Sequence, residues 1–248
     1  MGAITVITSG KGGVGKSTVT TGLGLALVNR GKRVLLIDGD AGLGCLDHML
    51  GVTEELAFDI ADVVAGRVEP IKAVYSCPFS DGLFLLPAPV SEDDVVSPDI
   101  MKQLITVLAR YYDHVLIDSP AGLGSGFLSA VASAGRALVV STPDPVCVRN
   151  ANKARILLEK AGIEQQRLII NRFSSDNFRA QGFYQDLDSV IDSAGMRLIA
   201  VIPEDTLLAA AASKAQPAPQ KSAGAMAFSR LAARLEGELV PLASLQKF

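Results

Sequence analysis

The chain has 248 residues, of which 49% are hydrophobic and 20% charged, with a formal net charge of -3. This suits one large domain or two small ones, provides a sizeable core and excludes global disorder. The slight acidity gives no general attraction for nucleic acid or anionic lipid, and leaves only a local basic patch to serve such a partner.

In chain order, MGAITVITSGKGG lacks a basic segment followed by a long apolar stretch, so no secretory signal is expected. Residues 3–8 (AITVIT) read as a buried strand. SGKGGVGKST comes next, and residues 17–30 then have helical spacing that stops at Gly31, a natural C-cap. Further strands are expected at 34–38 (VLLID), 83–87, 114–118 (HVLID), 137–141, 167–171 and 198–202. Helical patterns lie near 98–111, 146–161 and 185–194, and residues 223–239 read as a terminal helix. The segment 174–185 (SSDNFRAQGFYQ) reads as a loop with three aromatics that either faces a partner or packs on its neighbours, and 215–223 as a surface loop.

The strands are apolar along their whole length rather than alternating, which marks a sheet buried on both faces. Strand–helix alternation then predicts a single α/β domain, a mostly parallel twisted sheet with helices on both faces. No apolar run approaches the ~20 residues that span a bilayer, and a cytosolic protein is expected. Cys45, Cys77 and Cys147 are widely spaced, so free thiols are expected rather than disulfides or a zinc site. His48 and His114 read as structural.

Gly10 to Ser17 fits the pattern G-x-x-x-x-G-K-[ST], with a strand before it and a helix after. Glycines let the backbone curl so that successive N–H groups point at phosphate oxygens, and the helix start adds its positive dipole end. The expected nucleotide-binding run is Gly10, Lys11, Gly12, Gly13, Val14, Gly15, Lys16, Ser17 and Thr18. Lys16 reaches the β- and γ-phosphates, and the Ser17 hydroxyl is a hard ligand for Mg²⁺. Asp38 and Asp40 in LIDGDAGLG and Asp118 in VLIDSPAG sit at strand ends, where ligands of open parallel sheets bind. Phosphoryl transfer needs a metal-holding acid and a group that positions water, and these acids can supply both. Each acid alone reads equally well as a helix cap or turn residue.

KGGVGKST, GDAGLGCLD and IDSPAG, in that order, resemble the deviant-Walker ATPases of the MinD/ParA class, and VIPED at 201–205 also matches. The resemblance covers roughly the whole chain and is strongest to the septum-placing branch; the flagellar-number regulators of the class share the Asp38–Asp47 style. It implies that Lys11 is a signature lysine, reaching the nucleotide of the other subunit in an ATP-dependent homodimer. It implies that Lys11, Lys16 and Asp40 act in catalysis, with Asp40 positioning the attacking water. Ser17, Asp38 and Asp118 would serve Mg²⁺, and Asp38, Asp40, Asp118 and the flexible Gly122 would form the switches. Asn171 would read the adenine edge, with Arg172, Pro203 and Asp205 near the base. A slow, partner-stimulated ATPase with MinC-like inhibitor and MinE-like activator partners follows from the same resemblance.

Members of that branch end in a membrane-binding amphipathic helix. Here an ATPase domain of residues 1–239 would be followed by a tail, 240–248, in the ending LVPLASLQKF. Leu239, Leu242, Leu245 and Phe248 recur at threefold spacing, but Pro241 interrupts the run and Lys247 is its only cation. A membrane-surface helix wants a basic polar face, so a weak anchor peripheral to the inner membrane face and a tail packed on the body both stay open. A DNA-partition ATPase is the main competing reading. It calls for a basic helix, and the sequence offers only Arg149, Lys153 and Arg155. A redox ATPase lacks its cysteine near DSPAG, and no substrate motif supports a metabolic synthetase.

Overall fold

The computed structural model describes residues 1–243. Eight strands form one sheet: β1 (Ala3–Thr8), β2 (Val34–Asp38), β3 (Tyr75–Ser76), β4 (Leu83–Leu86), β5 (His114–Asp118), β6 (Arg136–Ser141), β7 (Gln165–Phe173) and β8 (Leu198–Pro203). Their order is β3-β4-β2-β5-β1-β6-β7-β8. Every pairing is parallel except β3 with β4.

The connections are α1 (Lys16–Val28), α2 (Leu46–Leu50), α3 (Ile60–Val64), α4 (Pro98–Leu108), α5 (Ser125–Val131) and α6 (Pro145–Lys160), then α7 (Ser175–Gln181), α8 (Leu187–Ala194), α9 (Thr206–Ser213) and α10 (Ala223–Leu235). Successive strand residues point to opposite faces, so β2 sends Leu35 and Ile37 to one core and Leu36 to the other. The first core is closed by α4, α5, α6 and α8, the second by α1, α2 and α10. α1 and α10 touch closely at Gly22, where a Cβ would stand 2.3 Å from the Phe228 ring. Both cores meet at β1, whose carboxyl end opens into the glycine loop and α1.

The expected strands all form, with ends shifted by at most two residues. The terminal helix stops at Leu235 rather than 239, because Gly237 takes a left-handed φ of 91° just past the Glu236 cap. The 174–185 segment is largely helical rather than a loop. Its helix is α7, which Ser174 caps by accepting the Asn177 N–H. Phe178 packs on Phe173 with ring centroids 5.5 Å apart and Tyr184 joins the same core, while Phe183 stays exposed. All three cysteines are free, with Cys77 and Cys147 buried and Cys45 exposed.

His48 is exposed on α2. His114 has the structural role expected of it: it is buried at the start of β5, with Nε2 2.8 Å from a Glu236 oxygen and Nδ1 3.4 Å from Arg136. Burial holds its pKa below the ordinary value despite the Glu236 carboxylate. The imidazole is therefore neutral, donating from Nε2 to Glu236 and accepting at Nδ1 from Arg136. No helix among the described residues is long and apolar enough to cross a membrane. Leu239 and Leu242 of the tail are exposed, and Leu245, Lys247 and Phe248 lie outside the described residues.

Candidate nucleotide site

The loop between β1 and α1 bends at two left-handed glycines, Gly13 with φ 77° and Gly15 with φ 92°. A side chain there would be strained, and at Gly15 its Cβ would also stand 2.3 Å from Asn171 Nδ2. Gly10 is equally constrained, since a Cβ would meet the Asn150 carbonyl of α6 at 2.1 Å. Ser9 Oγ donates to the Lys11 carbonyl at 2.7 Å and folds the first turn of the loop on itself.

The two lysines divide sharply. Lys16 is 8% exposed and buried under the loop, at the first turn of α1. Lys11 is exposed, and no hydrogen bond or ion pair among the described residues holds its side chain. A buried lysine serves a ligand inside this subunit. An exposed one on the same loop is free to serve a ligand outside it.

Asp38 and Asp118 are cross-strand partners at the carboxyl ends of β2 and β5, and both are almost wholly buried. Ser17 Oγ donates to Asp118 Oδ2 at 2.5 Å, and Thr20 Oγ1 donates to Oδ1 at 3.1 Å. Asp38 Oδ1 accepts the Asp40 N–H at 3.1 Å, and Oδ2 accepts the N–H groups of Cys45 and Leu46 at 3.0 and 3.1 Å. Burial, then the neighbouring Asp38 charge, push Asp118 up to about 7. Burial raises Asp38 as well, against the three N–H bonds. Two buried carboxylates that resist ionising side by side are a site that a divalent cation relieves.

Among the described residues no three His, Cys, Asp or Glu side chains cluster in a metal-holding arrangement. Two carboxylates and a hydroxyl are nonetheless the sparse hard-oxygen set that suits Mg²⁺, which keeps its waters and shares phosphate oxygens. Ser17, Asp38 and Asp118 are the residues that would hold it.

Asp40 stands two residues past Asp38 and is half-buried. Burial pushes its pKa up, while Lys16 and the Ala121 N–H hold it down. It therefore sits between the phosphate loop and the segment after β5, where Gly122 takes φ 87°.

The residues expected around the base are placed less simply. Asn171 is buried, and its Nδ2 donates to the Val14 carbonyl at 2.8 Å. Arg172 is exposed in a left-handed conformation with φ 52°. Pro203 ends β8 beside Phe173. Asp205 commits both oxygens to backbone caps, Oδ1 accepting from Leu207 at 2.8 Å and Oδ2 from Gly224 at 2.9 Å. It shapes the loop into α9 and presents no free carboxylate there. A groove of about 850 Å³ runs from Thr18 along α1, bordered by Met49, Leu208 and Phe228.

Thr20 and the N–H groups of Cys45 and Leu46 are parts of the site missing from the sequence reading. Thr20 lies one turn after Lys16 on α1, a spacing that was visible. The two N–H groups depend on where the loop after Asp40 returns.

The family model described as ParA: NUBPL iron-transfer P-loop NTPase matches residues 1–235. The septum site-determining protein MinD of Thermotoga maritima is 38% identical over 247 residues, 98% of this chain and 91% of that protein. The chain belongs to the MinD/ParA family of P-loop ATPases. Its fold is theirs too. It matches the MinC:MinD cell division protein complex of Aquifex aeolicus with a TM-score of 0.89 at 36% identity, covering 97% of this chain and 98% of that one. The septum site-determining protein MinD complexed with Mg-ADP from Pyrococcus horikoshii gives a TM-score of 0.84 at 33% identity, covering 96% and 97%. The site is accordingly that of a P-loop ATPase, and its two carboxylates and hydroxyl are the set that would suit the Mg²⁺ bound in the Pyrococcus horikoshii protein. When bound, that ion neutralises phosphate charge and orients the terminal phosphate.

Proposed function

We propose that the chain is an ATP-timed switch that regulates where the division septum forms. The observation that carries this is the division of labour within one loop: Lys16 is buried in the subunit's own site and Lys11 is exposed beside it. Lys16 and the loop N–H groups bind the chain's own triphosphate. Lys11 reaches the triphosphate of a second copy, so the pair closes only while both nucleotides carry a γ-phosphate.

Asp40 positions the attacking water, and its raised pKa suits it to take up a proton as the water attacks. Loss of the γ-phosphate removes the contact that Lys11 makes across the pair. The segments around Asp38 to Asp40 and around Asp118 to Gly122 then relax, and the copies separate. Rate acceleration by a cationic finger of this kind is about 10³–10⁵-fold elsewhere. A lysine directs its charge less than an arginine does, so the lower part of that range applies. Asp205 supports the base through the backbone it caps, Pro203 leads into that turn, and Arg172 borders the base.

A MinC-like inhibitor is the proposed partner of the closed pair, supported by the likeness to a chain solved in a MinC:MinD complex. A MinE-like activator that stimulates hydrolysis completes the cycle. The protein is proposed to be cytosolic and to associate peripherally with the inner membrane face through residues 240–248. Exposed Leu239 and Leu242 support that placement, and two weak anchors act together once a pair forms.

Co-sedimentation with anionic vesicles tests the switch. The proposal expects binding with ATP and Mg²⁺ and little with ADP or without nucleotide, lost on deleting residues 240–248. Equal vesicle binding in all three nucleotide states would overturn it. Salt-sensitive retention of the ATP form on duplex DNA would favour partition instead.

A further inference from the structure

β7 is irregular where it enters the site. Its pairing with β8 slips between Ile170 and Phe173, and Arg172 occupies a left-handed φ of 52°. A long unbranched side chain seldom adopts that conformation, and such irregularities commonly re-aim a neighbouring side chain. Here the neighbour is Asn171. It is 4% exposed and sends its amide under the phosphate loop rather than out toward a base.

The contact it makes is specific. Asn171 Nδ2 donates to the Val14 carbonyl at 2.8 Å. Val14 is itself buried, between the two left-handed glycines of the loop. A loop that cradles anions must turn its N–H groups inward and its carbonyls outward. If the peptide after Val14 flipped, its carbonyl oxygen would point at the phosphates and repel them. Asn171 holds that oxygen outward and satisfies it where water does not reach. The missing side chain at Gly15 leaves the room, since a Cβ there would be 2.3 Å from the same nitrogen.

We infer that Asn171 is a positioning residue for the phosphate loop, keeping the Val14 carbonyl turned away from bound phosphates. This rests on the loop binding nucleotide phosphates, and goes beyond an adenine-reading role for the same residue. The β7 irregularity becomes part of the site, since it delivers the amide from a strand far along the chain.

Inorganic tripolyphosphate separates the two roles because it has phosphates and no base. Wild type, Asn171→Ala and Asn171→Asp are titrated with ATP and with tripolyphosphate, both with Mg²⁺. Asn171→Asp keeps the volume and removes the donor. Loss of one buried hydrogen bond predicts about 10-fold to 100-fold weaker binding, by the same factor for both ligands. Unchanged tripolyphosphate affinity beside weakened ATP affinity would overturn the inference and leave Asn171 acting on the base. If Lys16→Ala left both affinities at the wild-type value, the phosphate-loop reading itself would fail. Hydrogen exchange of the nucleotide-free proteins is the second measurement. Faster exchange confined to residues 10–17 in either variant supports the role, and wild-type exchange there overturns it.

Discussion

Asp38 and Asp118 face each other across β2 and β5 as register partners, both buried, with burial raising both pKa values and the Asp38 charge raising that of Asp118 further. Asp118 rises from 3.8 to about 7. Between those values the folded protein holds a proton that the unfolded chain does not. The stabilisation from this group is therefore full below about pH 4 and is lost as pH rises to about 7. Asp118→Asn removes the buried charge and keeps the shape. The nucleotide-free variant should melt higher than wild type at pH 8, with little difference at pH 4. Its Mg²⁺-dependent hydrolysis should fall by about 10- to 100-fold or more. Melting curves at the two pH values and a phosphate-release assay check both halves.

Acid acts oppositely on the His114–Glu236 contact. Burial depresses His114 below 6.5, so the unfolded chain binds the proton more readily and stability is lost as pH falls below that value. Glu236 is depressed below 4.5, chiefly by its hydrogen bond with Lys32, so its contribution is present above that value and lost beneath it. His114→Gln should be less stable than wild type at neutral pH by about 1 kcal/mol. Its Tm should also fall less steeply between pH 6.5 and 5, which calorimetry across that range would show.

Gly15→Ala adds a Cβ at a left-handed position, 2.3 Å from Asn171 Nδ2. The backbone alone costs about 1–2 kcal/mol. The clash then displaces either the loop or the Asn171 amide. A Tm lower by several degrees should accompany at least a tenfold loss of ATP affinity, read by calorimetric titration. Wild-type affinity in this variant would mean that the loop re-forms around the added methyl group.

Much of the scaffold was legible because the strands are short apolar runs closed by turn residues. Val34–Asp38 and His114–Asp118 were read to their observed ends, and the acids they carry were placed with them. That both acids lie at the carboxyl edge of the sheet follows from that alone, while their direct pairing needs β2 and β5 to be neighbours, which chain order does not show. What was not legible depends on tertiary contact. α2 has only five residues, too few to be helical by themselves, and is held by burying Leu46 and Leu50. α7 hid behind polar residues and forms where Ser174 caps it and Phe178 finds Phe173. The aim of Asn171 depends on a slip of strand register that leaves no mark in the local sequence. Asp205, expected near the base, also caps two helices with its oxygens, a role that depends on where α10 returns.

Asp40→Ala should bind ATP and form the pair but hydrolyse at least about 100-fold more slowly, since general-base assistance is worth 10²–10⁴-fold. Because α2 starts a few residues further on and its leading N–H groups hold Asp38, the fold should survive the change. Single-turnover hydrolysis beside a melting curve tests this. Wild-type turnover would remove Asp40 from the reaction.

The stalled Asp40→Ala protein also gives the most direct test of the central claim, that exposed Lys11 acts on a second copy's nucleotide. Light scattering after size-exclusion chromatography reads the mass with ATP or ADP and Mg²⁺ present. Asp40→Ala should run as a dimer with ATP and as a monomer with ADP. Adding Lys11→Ala should leave a monomer in both, while ATP affinity stays within a few-fold of the single variant. A double variant that still dimerises on ATP would contradict the account.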